Sequence, residues 1–376
     1  LVAAGLKIME PFIPDTLPLV NTLDFGQLIS LVGEANAALA RYDGMLQGVV
    51  SPSILLSPLT TQEAVLSSKI EGTQATLDEV LEHEAGQAFE EHKEQDIQEV
   101  VNYRRALTLA SEALQNQPLT LGLVKQMHGA LLDSVRGQNK EPGQFRMSQN
   151  WIDPEGCSIE DATFVPPSPL QLLDHLEAWQ TYLNGHEIDP LIQVAVMHAQ
   201  FELIHPFKDG NGRIGRLLIP LFLYHKGMLN QPMFYLSGYL EEHRDEYYAR
   251  LRGISQQSKW NEWVAFFLRA VGVQAVDNTN RVQHILELYE QMKEQIREIT
   301  HSQYSVQILD ALFDRPIFKT SDVVQRTKIP KQTLMPQLRH LRDEGLLTVL
   351  REASGRRPAI LAFPALLNIA EGREIL

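Results

Sequence analysis

His205-Pro206-Phe207-Lys208-Asp209-Gly210-Asn211-Gly212-Arg213-Ile214-Gly215-Arg216 stands between two apolar-periodic segments, Leu191 to Ile204 and Arg213 to His225. Pro206 ends the first of these helices, since its ring clashes with the preceding turn, so His205 lies at the helix's C-terminal edge and faces a loop. A histidine there suits a general base, because its ordinary pKa of about 6.5 lies near neutral pH. Gly210-Asn211-Gly212 supplies left-handed backbone conformations that turn successive N–H groups inward, and the next helix begins at once. Together these form an anion cradle. Arg213 and Arg216 project from one face of that helix start and suit a bidentate grip on phosphate oxygens. Cations at a helix N-terminus oppose the macrodipole, so helix stability does not account for them, whereas a bound anion does. Asp209 is placed to hold Mg2+, which takes one or two carboxylates plus phosphate oxygens. A Walker-type phosphate loop is disfavoured, because the turn joins helix to helix and no Gly-Lys-Ser/Thr follows. A His198/His205 metal pair is disfavoured too, since two helical turns separate the rings and no third ligand is evident.

Outward from this stretch, helical periodicity dominates from about residue 24 to 300, which reads as an all-α body. Pro11, Pro14 and Pro18 mark an extended N-terminal arm that wraps on the body before helix begins near Phe25. The capping-box pattern Thr60-Thr61-Gln62-Glu63 predicts a helix starting at Thr60 and stopping at Gly72, and another follows from Thr76. Glu90 to Glu99 reads as a solvated helix face leading into Val100-Val101-Asn102-Tyr103-Arg104. Between Gly143 and Pro169 the helical pattern fails. Phe145, Met147, Trp151 and Ile152, the turn Asp153-Pro154-Glu155-Gly156, and Thr163-Phe164-Val165 closed by Pro166-Pro167 predict a short β-hairpin or flap. Helices resume at Gln171 to Tyr182, and no internal repeat or low-complexity tract is found.

At 376 residues the chain is long enough for two or three domains. It is 44% hydrophobic and 21% charged, with no apolar run of membrane-spanning length. Against 33 basic residues stand 47 acidic ones, a net charge of −14, which argues against coating nucleic acid through overall charge. Cys157, the single cysteine, excludes an intramolecular disulfide and a cysteine-only zinc site and fits a cytoplasmic location. The apolar start at Leu1 has no basic leader, so it is not read as a secretory signal; added residues or truncation before Met9 would explain the missing initiator.

The 205–216 stretch resembles the signature of the Fic family, His-Pro-Phe-x-Asp/Glu-Gly-Asn-Gly-Arg-x-x-Arg, and matches it at every specified position. The resemblance implies a Fic-type helical core that transfers AMP from Mg-ATP to a Ser, Thr or Tyr hydroxyl of a target protein, and of the chain itself. In that reading His205 is the base, Asp209 the Mg2+ ligand, Gly210 to Arg216 (with Ile214 and Gly215) the nucleotide-binding stretch, and Arg216 the γ-phosphate ligand. Such chemistry depends mainly on positioning and charge neutralisation. Upstream, Ser67-Ser68-Lys69-Ile70-Glu71-Gly72 resembles the family's inhibitory motif, with Ser67 and Glu71 in register. Physically, Glu71 is oddly placed, because an anion at a helix C-terminus is disfavoured. In the family this glutamate pairs with the second signature arginine, here Arg216, and blocks productive seating of the γ-phosphate. Segment 143–169 resembles the family's flap, which aligns an extended stretch of target by strand addition. Leu236-Ser237-Gly238-Tyr239 and Glu246 to Leu251 also fit the family, where the second tyrosine, Tyr248 here, contacts nucleotide. Trp260 and Trp263 are read as packing residues. The layout implies a homodimer.

From Ser302 short helices are predicted at 302–313, 320–327 and about 331–344. Strand-like runs Leu346 to Arg351 and Pro358 to Phe363 follow, joined by Ser354-Gly355-Arg356-Arg357. Three helices and a two-stranded wing describe a winged helix-turn-helix. Residues 301–376 carry 11 basic and 8 acidic side chains, whereas 1–300 carry 22 and 39. The domain expectation is therefore an N-terminal arm and inhibitory helices over 1–100, a catalytic core over 101–300 and a winged helix over 301–376. The competing reading is a DNA-binding regulator with a vestigial or regulatory nucleotide-binding core, using Lys331, Gln332, Thr333, Arg339 and His340 on the recognition helix and Arg356 and Arg357 on the wing. Protein docking through 301–376 is the other use of such a module. Pro336 is harmless there only if the helix starts near Thr333.

Overall fold

The computed structural model describes residues 10–19, 22–133, 140–152, 158–355 and 357–376. Met9, the flap turn 153–157 with Cys157, and Arg356 lie outside them. Helix dominates, and the sheet among the described residues has three short strands. Two compact units divide the chain, residues 1–40 with 105–275 and residues 41–104 with 276–376. This grouping is not the linear one expected. Its boundaries fall inside α1 (Phe25–Gln47), α5 (Glu91–Ala113) and α12 (Trp260–Thr300), so each unit is closed by chain segments distant in sequence.

The first unit is built on α8 (Pro190–Ile204), which packs against α7 (Leu172–Asn184), α9 (Asn211–His225) and α11 (Arg244–Gln257). From Leu191 to Ile204 every residue except Glu202 is buried, so this helix is enclosed all round and forms the centre of its unit. Its main chain also anchors two indoles. Trp179 donates its indole N–H to the Met197 carbonyl at 2.9 Å and Trp263 to the Ala195 carbonyl at 2.8 Å. Buried indoles that also hydrogen-bond combine a large apolar area with a fixed orientation. Asp189 caps α8, accepting from the Leu191 N–H at 2.7 Å, and Pro190 occupies the first turn. The arm behaves as expected: the Asp15 carboxylate accepts from the Trp260 indole at 2.7 Å, and its carbonyl accepts from Gln200 at 2.9 Å. Trp260 and Trp263 are both buried in the core.

The second unit joins α2 (Pro52–Leu55), α3 (Ser57–Ile70) and α4 (Leu77–Glu84) to α13 (Ser305–Asp314), β1 (Ile317–Lys319), α14 (Thr320–Thr327), α15 (Lys331–Asp343), β2 (Thr348–Arg351), β3 (Ile360–Ala362) and α16 (Pro364–Glu371). Helix α3 packs on α13 and α16, α2 on α13, and α4 on β1. The sheet runs β1-β3-β2, antiparallel throughout, with Ile317 opposite Ala362 and Thr348 opposite the same residue on the other side.

Several sequence expectations shift. Helix α3 begins at Ser57 rather than Thr60, because Pro58 is preorganised for a first turn; Thr60 sits inside and points its hydroxyl back at the Leu56 carbonyl. The capping box belongs instead to Thr76, whose N–H donates to Glu79 at 2.9 Å at the start of α4. Within the charged run, Asp96 is buried and accepts from the Gln74 N–H at 3.0 Å, so this face braces the 73–74 link rather than being wholly solvated. The flap contains a single β-bridge among its described residues, Ile152 to Phe164, and a turn of 3-10 helix at Ile159–Asp161. Strand β1 and α16 carry too few alternating or periodic residues to show in the sequence. Helix α15 begins at Lys331, where the sequence puts it, and runs on with Pro336 inside it rather than starting near Thr333 to keep that proline in its first turn.

Candidate functional site

Helix α8 ends as Pro206 requires. His205 is its C-cap residue at φ 49°, ψ 61°, a left-handed conformation uncommon outside glycine, and its ring is half-buried. Buried Arg146 holds this strained end. Its Nε donates to the His205 carbonyl at 2.9 Å, one terminal nitrogen donates to the Pro167 carbonyl at 2.6 Å, and its main-chain N–H donates to the Pro206 carbonyl at 2.9 Å. A guanidinium fits the carbonyl-rich end of α8, where the macrodipole is negative. Burial still pushes its pKa down, to about 10, which leaves it charged at neutral pH. Arg146 thus ties both flap segments to the histidine.

The loop from 206 to 210 is closed by Asn211. Its side-chain oxygen accepts from the Phe207 N–H at 2.8 Å, and its amide donates to the Phe207 carbonyl at 2.9 Å, which also accepts from Asn150 at 3.1 Å. The Asn211 side chain therefore shapes the turn, and only its main-chain N–H at the helix start faces a ligand's needs. Gly210, the N-cap of α9, has φ 76°, and a Cβ there would stand 3.2 Å from Leu131 Cδ2. The left-handed turn favours glycine, and the leucine methyl would have to shift slightly to admit a Cβ.

His128, on α6 (Leu121–Leu131), is a member of this site that the sequence reading missed. It stacks on Phe207 with centroids 3.7 Å apart, accepts the Gly143 N–H on Nδ1 at 2.8 Å, and donates from Nε2 to the Asp209 carbonyl at 2.9 Å. Donation to a carbonyl and acceptance from an amide fix the neutral Nε2–H tautomer. Burial pushes its pKa down to about 4. No sequence signal marked it, because an isolated His among Met127 and Leu131 reads as an ordinary helix residue. Only the fold brings it under the cradle.

Asp209 is partly exposed. Its Oδ1 accepts from the Gly210 N–H at 2.6 Å and lies 3.6 Å from the Arg213 guanidinium. The second oxygen, Oδ2, makes no hydrogen bond among the described residues and could hold a divalent ion shared with phosphate oxygens. No group of three or more His, Cys, Asp or Glu gathers among the described residues, so any such ion would complete its shell from a ligand. Arg213 and Arg216 are both buried within the first two turns of α9. Ile214 is wholly buried in the core, and Gly215 lies against α8. The space a Cβ would take at Gly215 is filled by the Glu202 carboxylate, with His198 Cε1 at 3.2 Å. Both positions serve the α8–α9 contact.

His198 takes no part in a metal pair. Fully buried, it donates from Nδ1 to the Gly215 carbonyl at 3.0 Å and accepts the Tyr247 hydroxyl on Nε2 at 2.9 Å; burial lowers its pKa to about 3. This separates the two tyrosines of α11. Tyr247 is core, whereas Tyr248 is half-buried with the Arg244 guanidinium 5.9 Å above its ring. In the second unit, Ser67 is buried within α3, and Glu71 is its exposed C-cap, followed by Gly72 at φ 100°.

The Fic/DOC family N-terminal pattern matches residues 29–112, and the Fic/DOC family pattern matches residues 118–223. The chain is 29% identical over 172 residues to protein adenylyltransferase fic-1 of Caenorhabditis elegans, covering 44% of this chain and 30% of that protein. It is 30% identical over 172 residues to protein adenylyltransferase Fic of Aedes aegypti, with the same coverage, and 28% identical over 227 residues to that of Drosophila grimshawi, covering 56% and 42%. The chain thus spans less than half the length of these relatives. Among solved structures, a Fic family protein from Desulfovibrio desulfuricans aligns over 94% of this chain and 98% of its own at TM-score 0.58 and 20% identity. Fic-1 of C. elegans aligns over 70% and 75% at TM-score 0.54 and 21% identity. At these identities the likeness is one of fold.

Proposed function

Because the chain belongs to the Fic/DOC family, we propose that it is a protein adenylyltransferase, which moves AMP from ATP to a Ser, Thr or Tyr hydroxyl of a target protein. One observation carries this reading: His205, the N-terminus of α9 at Gly210, which has no side-chain cap, and the buried Arg213 and Arg216 are gathered around one tight loop. A proton acceptor beside a cationic phosphate cradle is the minimum that nucleotidyl transfer needs.

In this mechanism a His205 ring nitrogen takes the proton of the target hydroxyl. The hydroxyl oxygen forms a bond to the α-phosphorus, the bond from that phosphorus to the bridging oxygen breaks, and pyrophosphate leaves with the electron pair. The main-chain N–H groups at the start of α9 and the Arg213 guanidinium hold the α and β phosphates, Arg216 takes the γ-phosphate, and the Tyr248 ring lies against the nucleoside. Asp209 would hold Mg2+, which when bound neutralises charge on the departing pyrophosphate. Buried arginines strengthen this grip, since their fields are little screened. The flap aligns the target's main chain beside His205. Glu71 acts as a brake by drawing Arg216 away from the γ-phosphate, with Ser67 supporting the turn of helix that presents it. The low cysteine content supports action in a reducing compartment such as the cytoplasm. Among the described residues no helix is long and apolar enough to cross a membrane.

The test is intact mass after incubation with Mg-ATP and a lysate. A gain of one AMP on the chain or on a lysate protein, raised in Glu71→Gly and abolished in His205→Ala, is expected. Retained transfer by His205→Ala would remove the assignment of the base.

A second reading concerns residues 301–376. The order α13-β1-α14-α15-β2-β3, with exposed Lys331, Gln332, Arg339 and His340 on α15, supports a winged-helix module that docks DNA. A mobility shift with duplex DNA that weakens with salt tests it; no shift at low salt removes it.

A further inference from the structure

Away from the cradle, the second unit holds a cavity of about 430 Å³ whose wall is cationic. Lys319 at the end of β1, Arg351 at the end of β2 and Arg357 in the link to β3 line it, together with Gly86 and Gln87 from the turn after α4 and Pro358. No carboxylate belongs to this lining. Among the described residues, none of the three cations forms an ion pair with an acid. Three positive groups facing one space repel each other, and folding alone gives no reason to collect them.

The local geometry is that of a built site. Gly86 stands at φ 77°, and the place of its missing Cβ is filled by the Lys319 ammonium, so the turn is cut away to admit that charge. Arg351 is aimed by the Gln87 side-chain oxygen, which accepts at 3.1 Å, and the Pro358 carbonyl, which accepts at 3.4 Å. Its Nε is shielded from water with no acceptor among the described residues, a donor left over that a ligand oxygen would satisfy.

We infer that this cavity binds a small polyanion of the phosphate class, carrying two or three negative charges, at a site separate from the adenylyl-transfer cradle. Its volume falls within the range of small-molecule sites, about 300–1,000 Å³, and guanidinium and ammonium groups together match phosphate oxygens. The inference does not depend on the proposed transfer reaction, because no residue of the first unit takes part.

Calorimetric titration of the full chain with inorganic pyrophosphate tests it, comparing wild type with Lys319→Gln/Arg357→Gln. Neither side chain has a described partner, so the fold should stand. The variant should bind one pyrophosphate fewer per chain than wild type. Two sites falling to one supports both the pocket and the cradle; one falling to none supports the pocket while counting against the cradle. Each single substitution should weaken the pocket's site about tenfold. Arg351→Lys, which keeps the charge but loses the fork, gives a second reading of the same loss. Equal stoichiometry and affinity in wild type and all variants would overturn the inference. So would pyrophosphate binding indifferent to these residues alongside a duplex-DNA shift that depends on them, which would assign the cations to a nucleic-acid backbone.

Discussion

Arg146 donates its Nε–H to the main-chain carbonyl of His205 at 2.9 Å, from a position with almost no exposure to water. The residue that tethers the flap therefore also fixes the left-handed backbone that aims the histidine ring. Replacing Arg146 with Met keeps the bulk but leaves the carbonyls of His205 and Pro167 without their charged donor. Unfolding in urea should show a loss of about 3 kcal/mol, the scale of one or two charge-assisted hydrogen bonds. Arg146→Lys should recover only part of it, since a point charge cannot span both carbonyls.

Gly210 and Gly215 are five residues apart and should fail differently. Gly210→Ala forces a side chain into a left-handed turn at φ 76°, costing about 1–2 kcal/mol, and disturbs the loop that presents the helix N-terminus. ATP affinity should fall along with stability. Gly215→Ala instead presses on Glu202 and His198 between α8 and α9, so stability should drop by about 1–3 kcal/mol with a smaller effect on ATP affinity. Thermal unfolding with and without Mg-ATP separates the two.

The adjacent tyrosines make a sharper pair. Tyr247→Phe leaves the buried Nε2 of His198 without its donor and should cost about 1–3 kcal/mol while leaving the KM for ATP unchanged. Tyr248→Ala should raise that KM with little change in unfolding, as fits a half-buried ring proposed to lie against the nucleoside. Reversal of these two outcomes would reassign the nucleotide contact.

His128 and His198 predict how stability follows pH. Both have pKa values lowered by burial, to about 4 and about 3, from an unfolded value of 6.5. As pH falls below 6.5, the unfolded chain takes up protons that the folded chain refuses, so stability is full above 6.5 and declines toward pH 4. Each histidine contributes a slope approaching about 1.4 kcal/mol per pH unit in that window. Urea midpoints from pH 7.5 to 4.5 should show the decline. His128→Gln, whose amide can still donate to the Asp209 carbonyl, should lessen it.

Helix α9, the break at Pro206 and the chemical character of 205–216 were legible in the sequence because each depends on local rules. Proline stops a helix, glycine permits positive φ, and two arginines three apart share a face wherever a helix forms. Apolar periodicity likewise gave α7 and α8 to within two residues. What depends on packing was not legible. His128 has no local mark, yet it fixes the Asp209–Gly210 turn from a helix some eighty residues earlier. Asn211 entered the reading through its main-chain N–H alone, and the task of its side chain, closing the loop because a buried main-chain N–H and carbonyl at Phe207 need partners, had no mark in the sequence. The three-residue strand β1 is too short to show alternation and exists through its pairing with β3. The grouping of α3 with α13 and α16 joins segments more than two hundred residues apart, and the meeting of Gly86 with Lys319 and Arg351 follows from it. Backbone preferences are written residue by residue, so the sequence alone determined the loop and the functional groups it carries; burial depends on what distant segments bring, so only the tertiary structure decided which polar groups brace the site.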